Sequence, residues 1–185
     1  MGAQKEESLK MGQEIRQQER QPPSLLQEIL FLLLKIGAIL MALVLLFMFL
    51  FGIFRNPDDS MAPGLREGDL VVFYRLDKSY IASDSLVVEY EGKKQVRRVV
   101  AVAGDTVDIT EEGLLINGSL QEEQRIYEET KRYTQGIDFP ITIKEGEVFL
   151  LGDSREHATD SRIYGTVAVK DTLGKVMTLI RRRDI

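Results

Sequence analysis

The sequence predicts a mainly β protein, with one N-terminal transmembrane helix ahead of an antiparallel β domain. Three observations carry that expectation. Ile36 to Phe54 is an uncharged run of 19 residues, about 28 Å of helix at ~1.5 Å per residue, against a bilayer hydrocarbon core of about 30 Å. Beyond it, short apolar or alternating runs recur between Gly, Pro, Asn and Asp turn residues, which is the pattern of strands. Helix signals are few in that second part.

Residues 1–24 are rich in Gln, Glu, Lys and Arg, with almost no aliphatic content, and cannot bury enough apolar surface to order themselves. They read as a flexible cytoplasmic tail. Pro22-Pro23-Ser24 supplies a helix start, with Ser24 as N-cap and Glu28 in the first turn or so. The anchor helix is expected over residues 25–54, with Lys35 snorkelling toward the inner interface and Gly37 and Gly52 tolerated as in other membrane helices. The rival reading is a cleavable signal peptide. The long tail, an apolar run beyond the usual length of about 7–15 residues, and the lack of a small-x-small site directly after it favour an uncleaved anchor. Lys5, Lys10, Arg16, Arg20 and Lys35 on the amino side outnumber Arg55, Arg66 and Arg75 just beyond the helix, which points to an inner amino terminus at the cytoplasmic membrane. Residues 55–185 then form the outer β domain.

Strands are expected at 69–74, 85–90, 95–102, 105–109, 113–116, 141–144, 148–151 and 164–169. Glu91-Gly92 and Asn117-Gly118 read as hairpin turns, although Asn117-Gly118-Ser119 also fits the N-glycosylation pattern. Residues 121–138, polar with two tyrosines, read as a long surface insertion. No internal repeat is visible.

A formal charge of -5 argues against a nucleic-acid partner, which calls for a basic surface. Zero cysteines exclude disulfides, thiolate metal sites and a cysteine nucleophile. The single histidine, His157, excludes a multi-histidine metal site and leaves any Ser-His triad dependent on that residue alone.

Three segments could carry chemistry. Asp59 to Leu65 places Ser60 in a Pro/Gly-punctuated loop just outside the membrane, where a linker turn is the plainer reading. Arg97 to Asp105 is a basic strand entering a Gly-Asp turn, and its arginines read most simply as an edge-strand or solvated pair. Gly152 to Gly165 holds two Asp-x-Arg pairs, Asp153 with Arg155 and Asp160 with Arg162, able to make bidentate contacts that brace a loop. His157 alone reads as exposed.

Taken in order, the three segments resemble the bacterial signal peptidase I family, the membrane-bound serine endopeptidases that remove export signals. The resemblance covers nearly the whole chain after the tail: the anchor, a Ser-Met-x-Pro box at Ser60, Met61 and Pro63 running to Leu65 and Gly68-Asp69, the basic strand ending at Gly104-Asp105, and the box at Gly152 to Gly165. It implies a β domain of the signal peptidase I type and, at Ser60, the nucleophile position of a serine–lysine pair. A lysine desolvated in an apolar site can give up its proton and act as general base without histidine.

The base position departs from the family, because the lysine that opens its strand box aligns with Arg97, and a guanidinium keeps its proton in a protein. Ala158 stands where the family has a serine that steadies the lysine. Asp58 stands where glycine or serine sits near the oxyanion hole, and a carboxylate pointing inward would oppose a developing oxyanion. Lesser changes are Gly64, Ala101, Ala103 and Ser154. Lys93 lies about 13 Å along the strand from Arg97 at ~3.3 Å per residue, and Lys94 points to the other face. His157, beside Ala158, is the remaining alternative base. Asp153, Arg155, Asp160, Arg162 and Gly165 keep the family's structural pattern.

The resemblance therefore implies a family member with impaired Ser-Lys catalysis that binds exported, signal-peptide-bearing proteins. Relatives that lack the intact pair are associated with pilus assembly in Gram-positive bacteria, so pilin subunits join preproteins and the lipid bilayer as expected partners. The alternative is an active peptidase in which Ser60 uses a non-standard base. No cofactor or metal is implied.

Overall fold

The computed structural model describes residues 24–181 apart from Arg125, and the expected tail lies outside the described residues except for Ser24. Helix α1, Leu25–Leu50, opens on a reciprocal cap: Ser24 Oγ accepts from Gln27 N at 3.3 Å, and Gln27 Oε1 accepts from Ser24 N at 3.1 Å. At ~1.5 Å per residue its length is about 39 Å. It has a mean hydropathy of 2.9 over its most apolar window and buries no residue, so by length and composition it can cross a membrane.

The helix ends four residues earlier than the apolar run suggests. Phe51–Arg55 is strand β1, paired antiparallel with β2, Leu70–Tyr74. Gly52 explains why: the Phe73 ring fills the space where a side chain at position 52 would stand, and Arg75 N closes the junction on Leu50 O at 2.9 Å. An uncharged run gives no sign of such pairing in advance.

The described residues divide into two units, one ending at residue 46 and the other beginning at residue 47. The second is antiparallel β, as expected. The further strands are β3 Ser85–Tyr90, β4 Lys93–Val102, β5 Thr106–Thr110, β6 Gly113–Ile116, β7 Ser119–Leu120, β8 Ile141–Thr142, β9 Glu147–Leu151, β10 Val167–Ala168 and β11 Gly174–Ile180. A seven-stranded sheet runs β1-β2-β11-β3-β4-β9-β10, and a four-stranded sheet runs β7-β6-β5-β8. Both expected hairpins form, with Glu91, Gly92, Asn117 and Gly118 all at positive φ, the geometry of type I′ turns.

Two expectations need correction. Residues 164–169 are not one strand: helix α2, Ser161–Tyr164, is capped by Asp160 and stopped by Gly165 at φ 80°, and only Val167 and Ala168 pair, with β9. Residues 174–180, for which no strand was expected, form β11, inserted between β2 and β3. Its residues Met177, Leu179 and Ile180 stay exposed, so the alternation that marks a half-buried strand is blurred.

Two of the core clusters frame the site. Met61, Leu65, Val71, Phe73, Val87 and Val96 pack under the loop between β1 and β2, and Leu86, Val88, Val99, Val148 and Leu150 pack around Tyr80. β4 contributes to both, which makes it a stiff base for the side chains it presents.

Candidate functional site

Ser60 sits in the β1–β2 loop, 5% exposed. Met61 and Leu65 on its C-terminal side are sunk in the core and hold the loop from below. Buried Asn56 ties the loop's two arms together, donating from Nδ2 to the Asp58 and Arg66 carbonyls. Glu67 N donates to Asp59 Oδ1 at 2.8 Å. Met61 is thus part of the core beneath the loop, and Pro63, after a cis peptide bond, is exposed.

β4 brings Arg97, 1% exposed, to the serine. Its Nη1 donates to Ser60 Oγ at 2.7 Å and to Val96 O at 2.6 Å, while Nε and Nη2 both donate to Thr159 O, at 3.0 and 2.9 Å. Ser60 Oγ in turn donates to Asp58 Oδ1, which also accepts from Ser60 N at 3.0 Å. The inward orientation of Asp58, left open by the sequence, is therefore decided by two hydrogen bonds to the serine.

The arrangement fixes what each group can do. A guanidinium donates and never accepts, so Arg97 holds the serine oxygen as a cation and takes no proton from it. The Asp58 carboxylate accepts hydrogen bonds from the serine hydroxyl and from the serine's own N–H, so that N–H is not free to donate to an oxyanion.

The last box closes the site from behind. Ser154 N donates to Ser60 O at 3.0 Å, and a side chain on Gly152 would strike Ala158 and come within 2.7 Å of that same carbonyl. Ala158 is buried and abuts Gly152. Asp160, fully buried, takes Arg162 Nε at 2.9 Å and Nη2 at 2.8 Å in a bidentate pair, and Gly152 N at 3.0 Å.

The other expected pair is not made. Asp153 accepts both Nε and Nη2 of Arg98, at 2.7 and 2.5 Å, and Arg155 turns instead to Glu123, with bonds of 2.5 and 2.6 Å, and to Thr130 Oγ1. Residues 121–138 are accordingly more than a surface insertion. Glu123, Thr130 and Tyr133, whose hydroxyl donates to Ala158 O at 2.9 Å, lock onto the loop behind Ser60. No local signal in the sequence marks these three, because their partners lie 25 to 32 residues away.

A cleft of about 440 Å³ opens on the cluster, lined by Asp58, Ser60, Gln95, Arg97, His157 and Thr159 among others. His157 Nδ1 lies 3.3 Å from Ser154 Oγ and makes no hydrogen bond to Ser60. Lys93 and Lys94 are exposed at the start of β4 and do not line the cleft. Burial pushes the Tyr164 hydroxyl well above the usual tyrosine range, against the opposing influence of Arg97. Among the described residues no group of three His, Asp or Glu is gathered to hold a metal.

A membrane-length helix leading into an antiparallel β domain with a serine-centred cleft defines the class of protein. The family described as signal peptidase, peptidase S26 matches residues 29–180, and the chain belongs to that family. It is 30% identical over 155 residues to signal peptidase I P of Bacillus subtilis subsp. natto, covering 75% of this chain and 83% of that protein. It is also 30% identical to the signal peptidase I of Bacillus licheniformis, covering 69% of this chain and 76% of that one. A probable thylakoidal processing peptidase 2 of Arabidopsis thaliana matches at 30% identity over 64% of this chain, which spans 35% of that longer protein. Among solved structures, a signal peptidase I from Enterococcus faecalis V583 is similar at 26% identity, covering 54% of this chain and 97% of that one with a TM-score of 0.45.

Proposed function

We propose that this protein is a membrane-anchored member of the signal peptidase I family that binds signal-peptide-bearing exported proteins and has impaired Ser-Lys catalysis. In this reading residues 1–24 are a cytoplasmic tail, α1 is the anchor, and the β domain works on the outer face of the cytoplasmic membrane. Its role is in assembly, with pilin subunits of a Gram-positive surface as the partner class. Ser60, Arg97, Asp58 and Ala158 are the altered centre, and Asp153, Arg155, Asp160 and Arg162 brace the cleft.

One observation carries the proposal: the Ser60 hydroxyl lies between a cation that cannot take its proton and a carboxylate that covers its own N–H. General-base loss alone costs about 10²–10⁴-fold in rate, and loss of an oxyanion donor costs about 10²–10³-fold more. An extended segment can still dock along the cleft by backbone pairing.

A second reading keeps the enzyme active, with Asp58 as the non-standard base, because it already accepts a hydrogen bond from the Ser60 hydroxyl. The test is a peptide spanning a signal-peptide junction, presented to the detergent-solubilised full chain and to Ser60→Ala. Binding without cleavage by both supports the assembly reading; cleavage by the parent that disappears in Ser60→Ala overturns it in favour of the peptidase.

A further inference from the structure

We propose that Arg55, Arg66 and Arg181 form a binding site for the phosphate of an anionic membrane lipid, which holds the Ser60 loop at headgroup level. The three arginines come from separate segments: the end of β1, the β1–β2 loop and the residue after β11. They meet around a polar cavity of about 710 Å³ whose lining also includes Asn56, Gly68 and Asp69. All three side chains are exposed, and none is paired with a carboxylate among the described residues.

Three arginines outnumber the two carboxylates, Asp69 and Glu67, that share the cavity wall. Asp69 is buried and accepts from Arg66 N through Oδ2 at 3.0 Å. Glu67 is exposed at the rim. Guanidinium forks match phosphate oxygens in a planar, bidentate way, so three of them around one cavity suit that ligand better than a carboxylate.

Two facts assign the phosphate to a lipid rather than to solution. Arg55 follows Leu50, the last residue of α1, by five residues, at most about 17 Å of extended chain at ~3.3 Å per residue. In addition, Arg55, Leu70 and Ile180 stand in one register row across β1, β2 and β11, with Ile53 on the same face two residues from Arg55. Ile53 and Ile180 are 55% and 56% exposed, so the cationic site adjoins apolar surface, as a phospholipid's headgroup adjoins its chains. Pro57 shares the cavity wall and lies three residues from Ser60, which couples headgroup binding to the position of the cleft loop.

The inference rests on the membrane anchoring proposed above, and the experiment separates the two. The full chain is placed in nanodiscs of phosphatidylcholine alone or with phosphatidylglycerol, and phenylglyoxal modification of each arginine is followed by peptide mass spectrometry. Arg132, paired with Asp108, serves as the internal reference. Phosphatidylglycerol is expected to slow modification of Arg55, Arg66 and Arg181 several-fold, with reversal at high salt, while inorganic phosphate added to phosphatidylcholine discs gives no such protection. In a companion measurement, Arg55→Gln, Arg66→Gln and Arg181→Gln each weaken recruitment of phosphatidylglycerol about fivefold, the factor that corresponds to about 1 kcal/mol per basic residue at an anionic surface. Equal modification rates in both discs overturn the site, and equal protection by inorganic phosphate overturns its assignment to lipid. Carbonate extraction from phosphatidylcholine vesicles tests the anchor independently, because a chain released there fails the anchoring reading, whereas one that stays but shows unchanged arginine reactivity fails only this inference.

Discussion

Replacing Arg97 with lysine while also replacing Asp58 with serine should awaken cleavage, and neither change alone should do so. The reasoning starts at position 97, which is 1% exposed. A lysine there loses its hydration, which lowers its pKa toward the range where the free amine can accept a proton. Asp58 works against this, because a carboxylate bonded to Ser60 Oγ favours the charged ammonium and still covers Ser60 N. Arg97→Lys alone therefore leaves a protonated lysine beside a blocked donor. Asp58→Ser alone frees the donor but leaves no base. The double variant restores both, and recovery of even the low end of the general-base contribution predicts at least about 10²-fold more cleavage than either single variant, with non-additivity expected because the groups act as one unit. The assay is cleavage of a signal-peptide-junction peptide across pH, with Ser60→Ala added to the double variant as the control. A well-folded double variant that binds peptide yet cleaves no faster than the parent would refute the reasoning and place the block in substrate presentation. Full recovery by Arg97→Lys alone would refute the role given to Asp58.

Three further outcomes test the framework around the site. Asp160→Ala strands the buried Arg162 guanidinium and frees Gly152 N, so denaturant unfolding should show a loss of about 3–5 kcal/mol. Gly152→Ala forces a methyl against Ala158 and the Ser60 carbonyl and should cost about 1–3 kcal/mol by the same measurement, with weakened peptide binding because the displaced carbonyl belongs to the nucleophile position. Tyr164 carries a raised pKa in the folded state, so its contribution is constant below the unfolded tyrosine value of about 10 and is lost as pH climbs from there toward the folded value, since the unfolded chain gives up the proton first. Tyr164→Phe should therefore flatten part of the alkaline loss of stability in a pH series, while Tyr80 and Tyr133, also shifted upward by burial, keep their share of it.

The membrane-length helix, the β character of the rest, both hairpin turns and the identity of the serine and arginine boxes could be read from the sequence. Each is written in neighbouring residues: an uncharged run, period-two alternation, Asn-Gly and Glu-Gly steps, and short motifs in fixed order. Tertiary structure decided what depends on distant partners. The helix gives way at Leu50 because Phe73 and Arg75, more than twenty residues on, capture Phe51–Arg55 as a strand. β11 exists because β2 and β3 leave a place between them, not because its own pattern demands it. Arg155 pairs with Glu123 instead of Asp153, and Asp153 with Arg98, because a side chain follows the nearest well-oriented opposite charge in space rather than in the chain. The same rule governs the centre of the site. The sequence places Asp58 two residues before Ser60, but only the folded loop, pinned by Asn56 below and by Arg97 across, turns that carboxylate onto the serine.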